Sequence, residues 1–574
     1  MRLSIGVLCC GWGFARGAFG GMKLRQNAIG HAGFIGMFIV LLVCFGALRT
    51  MPVFSRGLLE HDEGHALLNA HTWHQAMRWV LGGGLWGAGE PVGELGAAMH
   101  RGGGTLYSAG KLGYTLLVAV VALPGQVSTT LALVLAWLSG LAICGLAGAL
   151  VRQMTGSWWG AGVAVIGCMS SPLLMMLATE ASGTNWALML GLVATWLALA
   201  GVDRAADGRR AWTHGVLAGV CLGYGFTCHF NLAPMVLAVF LMTAVQVRAS
   251  GRGAGQPTRR KMLGAVLVPM MISSAGVLVV FEIATQGVRY ALRHAFPDFL
   301  SFFGEHRRLF FRDQVPMLDG VLYGDGAIGW GAEAWMVYLG TLAREDWLWG
   351  VLVIASAVLL LGPSGRPWRA RLAPVVVLLL VPVAFWALYV YRVERVLGMC
   401  IATSWVLVGC VAGLWMKERP MVPRVKALLL APFFSLLMGD GLARRSALME
   451  RSAEGITRMA NLALEDMRRH GGQITAGSFD TGFAPLWKWE LVEQLRQPGS
   501  ADLRPLVDFS RFDGAEMIFV DPSAWRRPSG AEFPLTQNQV EAGRLVGSVA
   551  NRNPEWELKV YDIRGAGSAQ IDLP

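Results

Sequence analysis

The sequence predicts a mainly α-helical, polytopic membrane protein that ends in a small α/β domain. Of its 574 residues, 54% are apolar and only 15% are charged, whereas soluble domains carry about 25% charged residues. Apolar runs of roughly 20 residues recur through the first 440 positions, and a helix needs about that length to cross roughly 30 Å of hydrocarbon. After residue 439 the long runs stop, and shorter helix-like and strand-like patterns replace them.

The net charge of +11 is distributed unevenly along the chain. From Asp440 onward there are 16 Lys/Arg and 19 Asp/Glu, so this part carries −3 and the preceding part +14. The excess therefore indicates basic cytoplasmic loops between spans and not a nucleic-acid surface, and we expect no nucleic-acid partner. All nine cysteines precede residue 411 and form no Cys-x-x-Cys pattern, which favours small apolar packing roles.

The chain is expected to begin with a cytoplasmic tail, residues 1–28, whose true first residue is either Met1 or Met22. Its basic side chains place the N-terminus inside. The transmembrane domain follows at residues 29–440 and contains eleven predicted spans. They lie at residues 30–48, 129–150, 158–177, 184–201, 212–228, 231–247, 262–285, 347–362, 373–390, 396–416 and 426–439.

Residues 113–123 form an apolar run that is too short for a span, because eleven helical residues reach only about 16 Å. Loop charge indicates how the run lies: if it rests along the membrane surface, every basic cluster falls on the cytoplasmic side, and if it crosses, every one falls outside. We therefore predict an interfacial helix with Tyr107 and Tyr114 at headgroup level. The basic clusters are Arg152, Arg204 with Arg209 and Arg210, and residues 248–261, 366–371 and 417–426.

Three external segments follow from this topology. The first periplasmic loop covers residues 49–128, a second large loop covers residues 286–346, and a periplasmic α/β domain covers residues 441–574. Within that domain, helices are predicted at residues 446–470, 486–496 and 537–550, and strands at 473–479, 517–520 and 556–563.

The segment His61-Asp62-Glu63-Gly64-His65 places two carboxylates and two imidazoles just beyond the first span. An external carboxylate at the membrane surface is suited to act as a general base toward an acceptor hydroxyl. The alternative is a solvated first helical turn, where acidic residues favour the helix dipole. His61 and His65 are also four residues apart, as in a helical metal site. The zincin pattern, however, requires Glu directly after the first His, and Gly64 weakens a helix here.

Lys111 directly precedes the interfacial run, where an ammonium group is suited to hold a lipid phosphate. The alternative for this side chain is simple snorkelling toward the headgroups.

Five further external positions carry candidate binding groups. Glu180 is an acid at the outer end of a span pair, and such membrane-edge acids are functional candidates, although a helix cap explains them equally. His229 and Asn231 occupy a short external turn, where they either face the same cavity or cap helices. In the second large loop, arginines including Arg293 and Arg307 are interspersed with phenylalanines. This composition suits a polyprenyl chain and its phosphate, or else an interfacial amphipathic helix.

Taken together, these features resemble the GT-C class of integral-membrane glycosyltransferases, in the branch of the protein O-mannosyltransferases and lipid A aminoarabinose transferases. The similarity rests on Asp62-Glu63 early in the first loop, Lys111 before the apolar run, and Glu180 after the third span. A large loop after the seventh span and a soluble C-terminal domain complete it.

The resemblance implies inverting transfer of a sugar from a polyprenyl-phosphate donor to a lipid, glycan or protein acceptor. The reaction would occur on the periplasmic side of a bacterial inner membrane. Asp62 would correspond to the catalytic base, Lys111 to the phosphate-binding lysine and Glu180 to a second acid. Glu63 is the rival for the base, because spacing does not separate the two adjacent acids. Some members of the class use a divalent metal ion, so the resemblance allows one here. Neither the donor sugar nor the acceptor follows from the sequence.

The alternative function is a transporter or flippase for a lipid-linked or small substrate. Such a protein is expected to place ionisable residues near the middle of the membrane. Here the candidate residues cluster at the external ends of spans, which favours the transferase.

Overall fold

The computed structural model describes most of the membrane domain and parts of the C-terminal region. The described residues are 61–82, 112–205, 207–250, 259–295, 340, 347–387, 396–419, 425, 432, 435–436, 439, 460–461, 464–465, 476–478, 489–490, 493, 517–520, 543–550 and 557–562. The predicted N-terminal tail and first span therefore lie outside the described residues, as does nearly all of the second large loop.

The described part of the membrane domain consists of helices connected mostly by short turns. In chain order they are α1 His61–Leu81, α2 Leu112–Val121, α3 Thr129–Thr155, α4 Trp158–Ser170, α5 Pro172–Leu177, α6 Gly183–Asp203, α7 Gly208–Cys228, α8 Ala233–Ser250, α9 Arg259–Ala295, α10 Trp347–Leu361, α11 Arg366–Ala387 and α12 Leu397–Glu418. A 3-10 turn, Phe230–Leu232, joins α7 to α8.

These helices confirm a mainly α-helical membrane protein. Each predicted span between residues 129 and 416 coincides with a helix or a pair of helices, whereas the total number of spans remains a prediction. Among the described residues, six helices are long and apolar enough to cross a membrane. They are Thr129–Thr155, Gly183–Asp203, Phe230–Ala249, Lys261–Val288, Arg366–Trp386 and Leu397–Glu418.

The predicted span at residues 158–177 is not one continuous helix but the pair α4 and α5. Ser171 has an extended backbone (φ −64°, ψ 121°), and its hydroxyl accepts a hydrogen bond from Leu174 N at 3.4 Å. The break has a local cause, because a residue before proline is sterically disfavoured in the α conformation. Pro172 is then tolerated at the start of α5, where its missing N–H has no intrahelical partner to lose.

Glycines allow the helices of the bundle to approach closely. Gly215, Gly219 and Gly223 form a stripe at four-residue spacing along α7, which packs extensively against α9. A Cβ added at Gly219 would lie 2.1 Å from the carbonyl oxygen of Met270. Small residues at this spacing are typical of helix pairs in membranes, where backbone contact replaces the hydrophobic driving force.

Basic side chains collect at one end of the bundle, around the C-terminus of α3. Arg371 Nε donates to Met154 O at 2.7 Å, and Lys417 Nζ donates to Thr155 O at 3.4 Å. Cations at this position satisfy the last carbonyl groups of a helix and complement its dipole. The basic clusters of α3, α11 and α12 therefore share one end of the bundle, as the loop-charge argument predicted. Other polar contacts at this end are Gln153–Asp203 (3.0 Å) and Arg204–His214.

Helix α2 has ten residues and is about 15 Å long, half the length that a bilayer crossing needs. Trp73 and Ala76 of α1 pack with Leu112 and Ala119 of α2 in one apolar cluster. Partly buried side chains from α7 and α9 cover that cluster. The length fits the predicted interfacial helix. The Tyr114 ring is fully buried within the protein and does not face lipid. Tyr107 lies outside the described residues, and the depth of both rings in the membrane stays a prediction.

The C-terminal region contains a four-stranded mixed sheet with the order β1-β2-β4-β3. The strands are β1 Ala476–Ser478, β2 Met517–Val520, β3 Arg544–Ala550 and β4 Glu557–Asp562. Strands β1 and β2 are parallel, and β4 pairs antiparallel with both β2 and β3. The three predicted strands are confirmed. Of the helices predicted before them, only residues 460–461, 464–465, 489–490 and 493 are described, and all are helical.

The helix predicted at residues 537–550 was wrong over its second half, which is strand β3. Gly543 and Gly547 disfavour a helix in this segment, and Gly547 follows an irregularity in the pairing with β4. Val549 pairs with Leu558 across the two strands. Pairing with β4, a long-range contact that local periodicity does not contain, therefore decides the conformation.

Candidate functional site

Glu63 anchors the first turn of α1 to the rest of the bundle. Its side chain is fully buried, and its Oε1 accepts a hydrogen bond from the backbone N of Ala181 at 2.7 Å. The helix runs through Gly64 without interruption, contrary to the expected weakening. The alternative of a solvated first turn is also wrong for Glu63, because water does not reach its carboxylate.

Ala181 belongs to the turn at residues 178–182, which joins α5 to α6. The turn is held by its own backbone: Glu180 N donates to Leu177 O at 3.3 Å, and Ser182 N donates to Glu180 O at 2.8 Å. Ser182 is the N-cap of α6, but its hydroxyl makes no cap hydrogen bond with the first turn. The Glu63 carboxylate instead brings negative charge to this end of α6, where the helix dipole favours an anion.

Glu180 is buried in the same turn, with 4% of its surface exposed. Glu63 contacts the next residue of the chain, Ala181. The turn at residues 178–182 therefore contains one acid, Glu180, and is hydrogen-bonded to a second, Glu63. The roles that the resemblance implies for Asp62 and Glu180 stay predictions.

Tyr114 of α2 faces the same region. A Cβ added at Gly183 would lie 3.1 Å from Tyr114 Cβ and 2.1 Å from the carbonyl oxygen of Cys228, so α2, α6 and α7 meet closely here. Burial, and secondarily the negative charge of Glu63, raise the pKa of the Tyr114 hydroxyl well above its usual range. The hydroxyl therefore stays protonated, and it has no hydrogen-bond partner among the described residues.

The start of α2 is fixed on the end of α7. Tyr224 OH donates to the carbonyl oxygen of Gly113 at 3.0 Å, and a Cβ at Gly113 would lie 2.2 Å from Thr227 Oγ1. Lys111 lies outside the described residues, but the chain enters α2 directly after it. Leu112, the next residue, is buried.

His229 and Asn231 lie in the turn after α7, and both are buried. His229 Nδ1 accepts a hydrogen bond from Asn231 N at 3.1 Å, so a neutral ring carries its proton on Nε2. Asn231 and Thr184 line a small pocket with room for about one water molecule. Thr184 Oγ1 and Asn231 Oδ1 are buried and have no hydrogen-bond partner in the described part of the chain. Aliphatic side chains line the remainder of the pocket: Leu177, Ala187, Leu188, Leu232, Val396 and Met399.

The turn and the start of α6, residues 178–184, therefore connect four of the predicted site residues. Glu180 is part of it, Glu63 bonds to it, and Asn231 shares a pocket with Thr184, next to His229. The backbone of Asp62 lies in the first turn of α1 and that of Arg293 in the last turn of α9, but their side chains are outside the described residues. Arg307 lies outside them altogether.

The predicted metal ligands remain untested. His65 is on α1 with its side chain exposed, and the side chain of His61 is outside the described part. Among the described residues, no three His, Cys, Asp or Glu side chains come close enough together to hold a metal ion.

Sequence reasoning missed Tyr114 as a neighbour of Glu63 and Thr184 as a pocket residue. Tyr114 matched the pattern of an interfacial aromatic residue, and Thr184 appeared as one polar residue within a span. The sequence indicated close helix contact only through two glycines: Gly113, next to Tyr114, and Gly183, next to Thr184.

Comparison with solved structures identifies the fold. The chain is similar to the crystal structure of ArnT from Cupriavidus metallidurans bound to undecaprenyl phosphate, with a TM-score of 0.56 and 12% identity. The match covers 93% of this chain and 99% of that one. The apo structure of the same protein gives a TM-score of 0.51 at 12% identity and covers 94% and 100% of the two chains. No protein-family model and no curated protein sequence matches the chain. The chain therefore has the fold of the GT-C integral-membrane glycosyltransferases.

Proposed function

We propose that this protein is a membrane glycosyltransferase that moves a sugar from a polyprenyl-phosphate donor to a periplasmic lipid, glycan or protein acceptor, with inversion. The observation that carries the proposal is the hydrogen bond between Glu63 and Ala181 N. It fixes the acidic first turn of α1 against the buried turn that contains Glu180. The shared fold with ArnT, crystallised with undecaprenyl phosphate, supports a polyprenyl-phosphate donor.

The two adjacent acids have different roles in this proposal. Consecutive helical residues point about 100° apart, so with Glu63 directed at Ala181, Asp62 occupies a different face of the first turn. Glu63 already uses an oxygen as a hydrogen-bond acceptor and is closed to water. We therefore assign Asp62 as the general base that accepts the acceptor's hydroxyl proton as the oxygen attacks the anomeric carbon. Glu63 holds Asp62 in place.

The departing lipid phosphate carries its negative charge well, so it needs a cation more than a general acid. Lys111 is suited to this role because it precedes α2, whose first turn packs on the outer end of α7 and beside Gly183. Arg293 and Arg307 are further candidates for the phosphate. Tyr114, which stays protonated, supplies a hydrogen-bond donor beside Glu63, and Thr184 with Asn231 supplies two oxygens for a polar group of the substrate.

The orientation follows from the charge of the two ends of the bundle. Arg152, Arg371 and Lys417 mark one end, which the positive-inside rule assigns to the cytoplasm. The turn at residues 178–182 then faces the periplasm of a bacterial-type inner membrane, together with the C-terminal domain. The resemblance also allows a divalent metal ion. His61 and His65 are the candidate ligands for it.

The experiment is turnover by the purified protein in liposomes supplied with a panel of undecaprenyl-phosphate sugars. Release of undecaprenyl phosphate is measured by mass spectrometry. The Asp62→Asn variant is expected to lose about 10²- to 10⁴-fold in rate, the range that a general base contributes. Asp203→Asn is the matched control, since Asp203 lies at the basic end and bonds Gln153. Mass spectrometry of surface glycans from cells lacking the protein would identify the sugar.

Two outcomes would contradict the proposal in different ways. Normal turnover in the Asp62→Asn variant would remove Asp62 as the base while leaving glycosyl transfer intact. Movement of the donor across the bilayer with its sugar–phosphate bond unbroken would instead indicate the flippase.

A further inference from the structure

A helical segment of the C-terminal region docks onto the membrane domain. Trp489 is fully buried, and its indole Nε1 donates to Thr129 Oγ1, at the start of α3, at 2.8 Å. Glu493 contacts the same residue: its Oε1 accepts from Thr129 N at 3.0 Å, and its Oε2 accepts from Thr129 Oγ1 at 2.5 Å. Residues 489 and 493 are one helical turn apart, so both side chains lie on one face.

These three hydrogen bonds form a complete local network. The Thr129 hydroxyl accepts from the indole and donates to the carboxylate, so both its functions are used. The carboxylate also takes up a backbone N–H in the first turn of α3, where helix N–H groups lack intrahelical partners and the dipole favours an anion. Charge-assisted bonds of this kind are stronger than neutral ones. The contact is therefore a specific docking site that joins positions 360 and 364 residues apart in the sequence.

Trp489 also reaches α1. Its ring lies edge-on to His71, with 6.5 Å between the ring centroids and an angle of 64° between the planes. His71 lies eight residues after Glu63, about 12 Å along the helix axis. Helix α1 is thus held at its first turn by the bond from Glu63 to Ala181, and near its middle by a side chain from the C-terminal region.

We propose that Trp489 and Glu493 are positioning residues: they clamp α1 from the C-terminal side and so hold Asp62 and Glu63 in their working geometry. The catalytic consequence rests on the proposed function, whereas the clamp itself does not. A fixed α1 matters because a displacement of about 1 Å in a reacting group can cost on the order of 10²-fold in rate. Glu63 fixes the first turn of α1, and Trp73 and Ala76 pack the helix on α2. The clamp adds the contact between Trp489 and His71, which ties α1 to the C-terminal region.

The first test measures the clamp without any sugar substrate. Hydrogen exchange of the α1 backbone amides is compared in the full-length wild type and in the Trp489→Ala, Trp489→Phe and Glu493→Ala variants. We expect exchange in α1 to rise about tenfold in the two alanine variants and less in Trp489→Phe, which keeps a ring against His71. Trp212→Phe is the matched control, because Trp212 is an exposed tryptophan near the basic end of α7.

The second test separates positioning from general damage. Undecaprenyl-phosphate-sugar turnover by the same variants should show kcat reduced about tenfold with the donor KM unchanged, because a displaced base slows the chemical step and does not alter donor binding. Thr129→Ser, which keeps the hydroxyl, should restore the activity that Thr129→Val loses. If an alanine variant does not fold, the pair Thr129→Val and Thr129→Ser carries both measurements.

Each outcome bears on a different claim. Faster exchange confined to the start of α3, with α1 unchanged, would overturn the clamp. Faster exchange in α1 with unchanged kcat would overturn its role in positioning. A wild-type protein that transfers no sugar would contradict the proposed function, while the hydrogen-exchange result would still decide whether the clamp exists.

Discussion

The Glu63→Gln substitution tests the division of roles between the two acids most directly. It preserves the size of the side chain and leaves a carbonyl oxygen that can accept the bond from Ala181 N. It removes the negative charge and replaces one carboxylate oxygen with an NH2 group. If Glu63 holds the helix and Asp62 carries out the chemistry, this variant should keep most of the activity that Asp62→Asn loses.

The size of the expected loss is worked from the bond between Glu63 and Ala181 N. A hydrogen bond to a charged group contributes about 1.5–3 kcal/mol and a neutral one about 0.5–1.5 kcal/mol, so the difference is roughly 1–1.5 kcal/mol. Because about 1.4 kcal/mol corresponds to a factor of ten in rate, Glu63→Gln should reduce turnover by about tenfold at most. Glu63→Leu should do more harm, since the buried N–H of Ala181 then lacks a partner, at a cost of about 1–3 kcal/mol in stability.

The assay is release of undecaprenyl phosphate in liposomes, together with thermal unfolding in detergent to measure stability. The predicted order of activity is wild type, Glu63→Gln, Glu63→Leu and then Asp62→Asn, with the melting temperature lowered most in Glu63→Leu. A complete loss of turnover in a stably folded Glu63→Gln protein, with activity retained in Asp62→Asn, would reverse the assignment of the base.

Two further predictions concern the packing of the site and its side of the membrane. Gly183→Ala should lower the melting temperature and the turnover, because its Cβ would lie 2.1 Å from the backbone oxygen of Cys228, whereas Gly264→Ala, with open space around it, should be neutral. An unchanged melting temperature and an unchanged turnover in Gly183→Ala would refute the close contact of α6 and α7. The second prediction concerns topology: a cysteine introduced at exposed Gly125 should react with a membrane-impermeant maleimide from the periplasmic side. A cysteine at exposed Gly208 should react only after the membrane is permeabilised, and the unmodified chain is the labelling control. The reverse pattern would invert the orientation.

The membrane helices could be predicted from the sequence because each depends on its own apolar length. The predicted spans between residues 129 and 416 required no knowledge of neighbouring helices, since a span must satisfy its backbone internally. Hydropathy did not detect the break between α4 and α5 at Ser171, because this break depends on the local steric effect of Pro172. Periodicity predicted a helix where β3 lies, because the strand conformation depends on pairing with β4, which is distant from local periodicity.

The docking of Trp489 and Glu493 could not be predicted for a related reason. Their spacing predicts only that both lie on one face of a helix, and nothing in the sequence connects that face to Thr129, 360 residues earlier. Likewise, the sequence around Tyr114 is typical of an aromatic residue at the membrane interface. Its burial beside Gly183 depends on how α2 packs on α7, which is a property of three helices together.

The choice between Asp62 and Glu63 shows how far one structural contact can extend a sequence argument. Spacing treats two adjacent acids as equivalent, because either can face an acceptor from the first turn of a helix. The bond from Ala181 N breaks that equivalence, because it holds the Glu63 carboxylate where it is fully buried, whereas a general base must reach the hydroxyl of an incoming acceptor. Glu63 is therefore better suited to anchor α1 than to act as the general base. Successive residues of a helix lie about 100° apart, so the position of Asp62 is on a different face of the first turn from the residue that bonds Ala181 N at 2.7 Å.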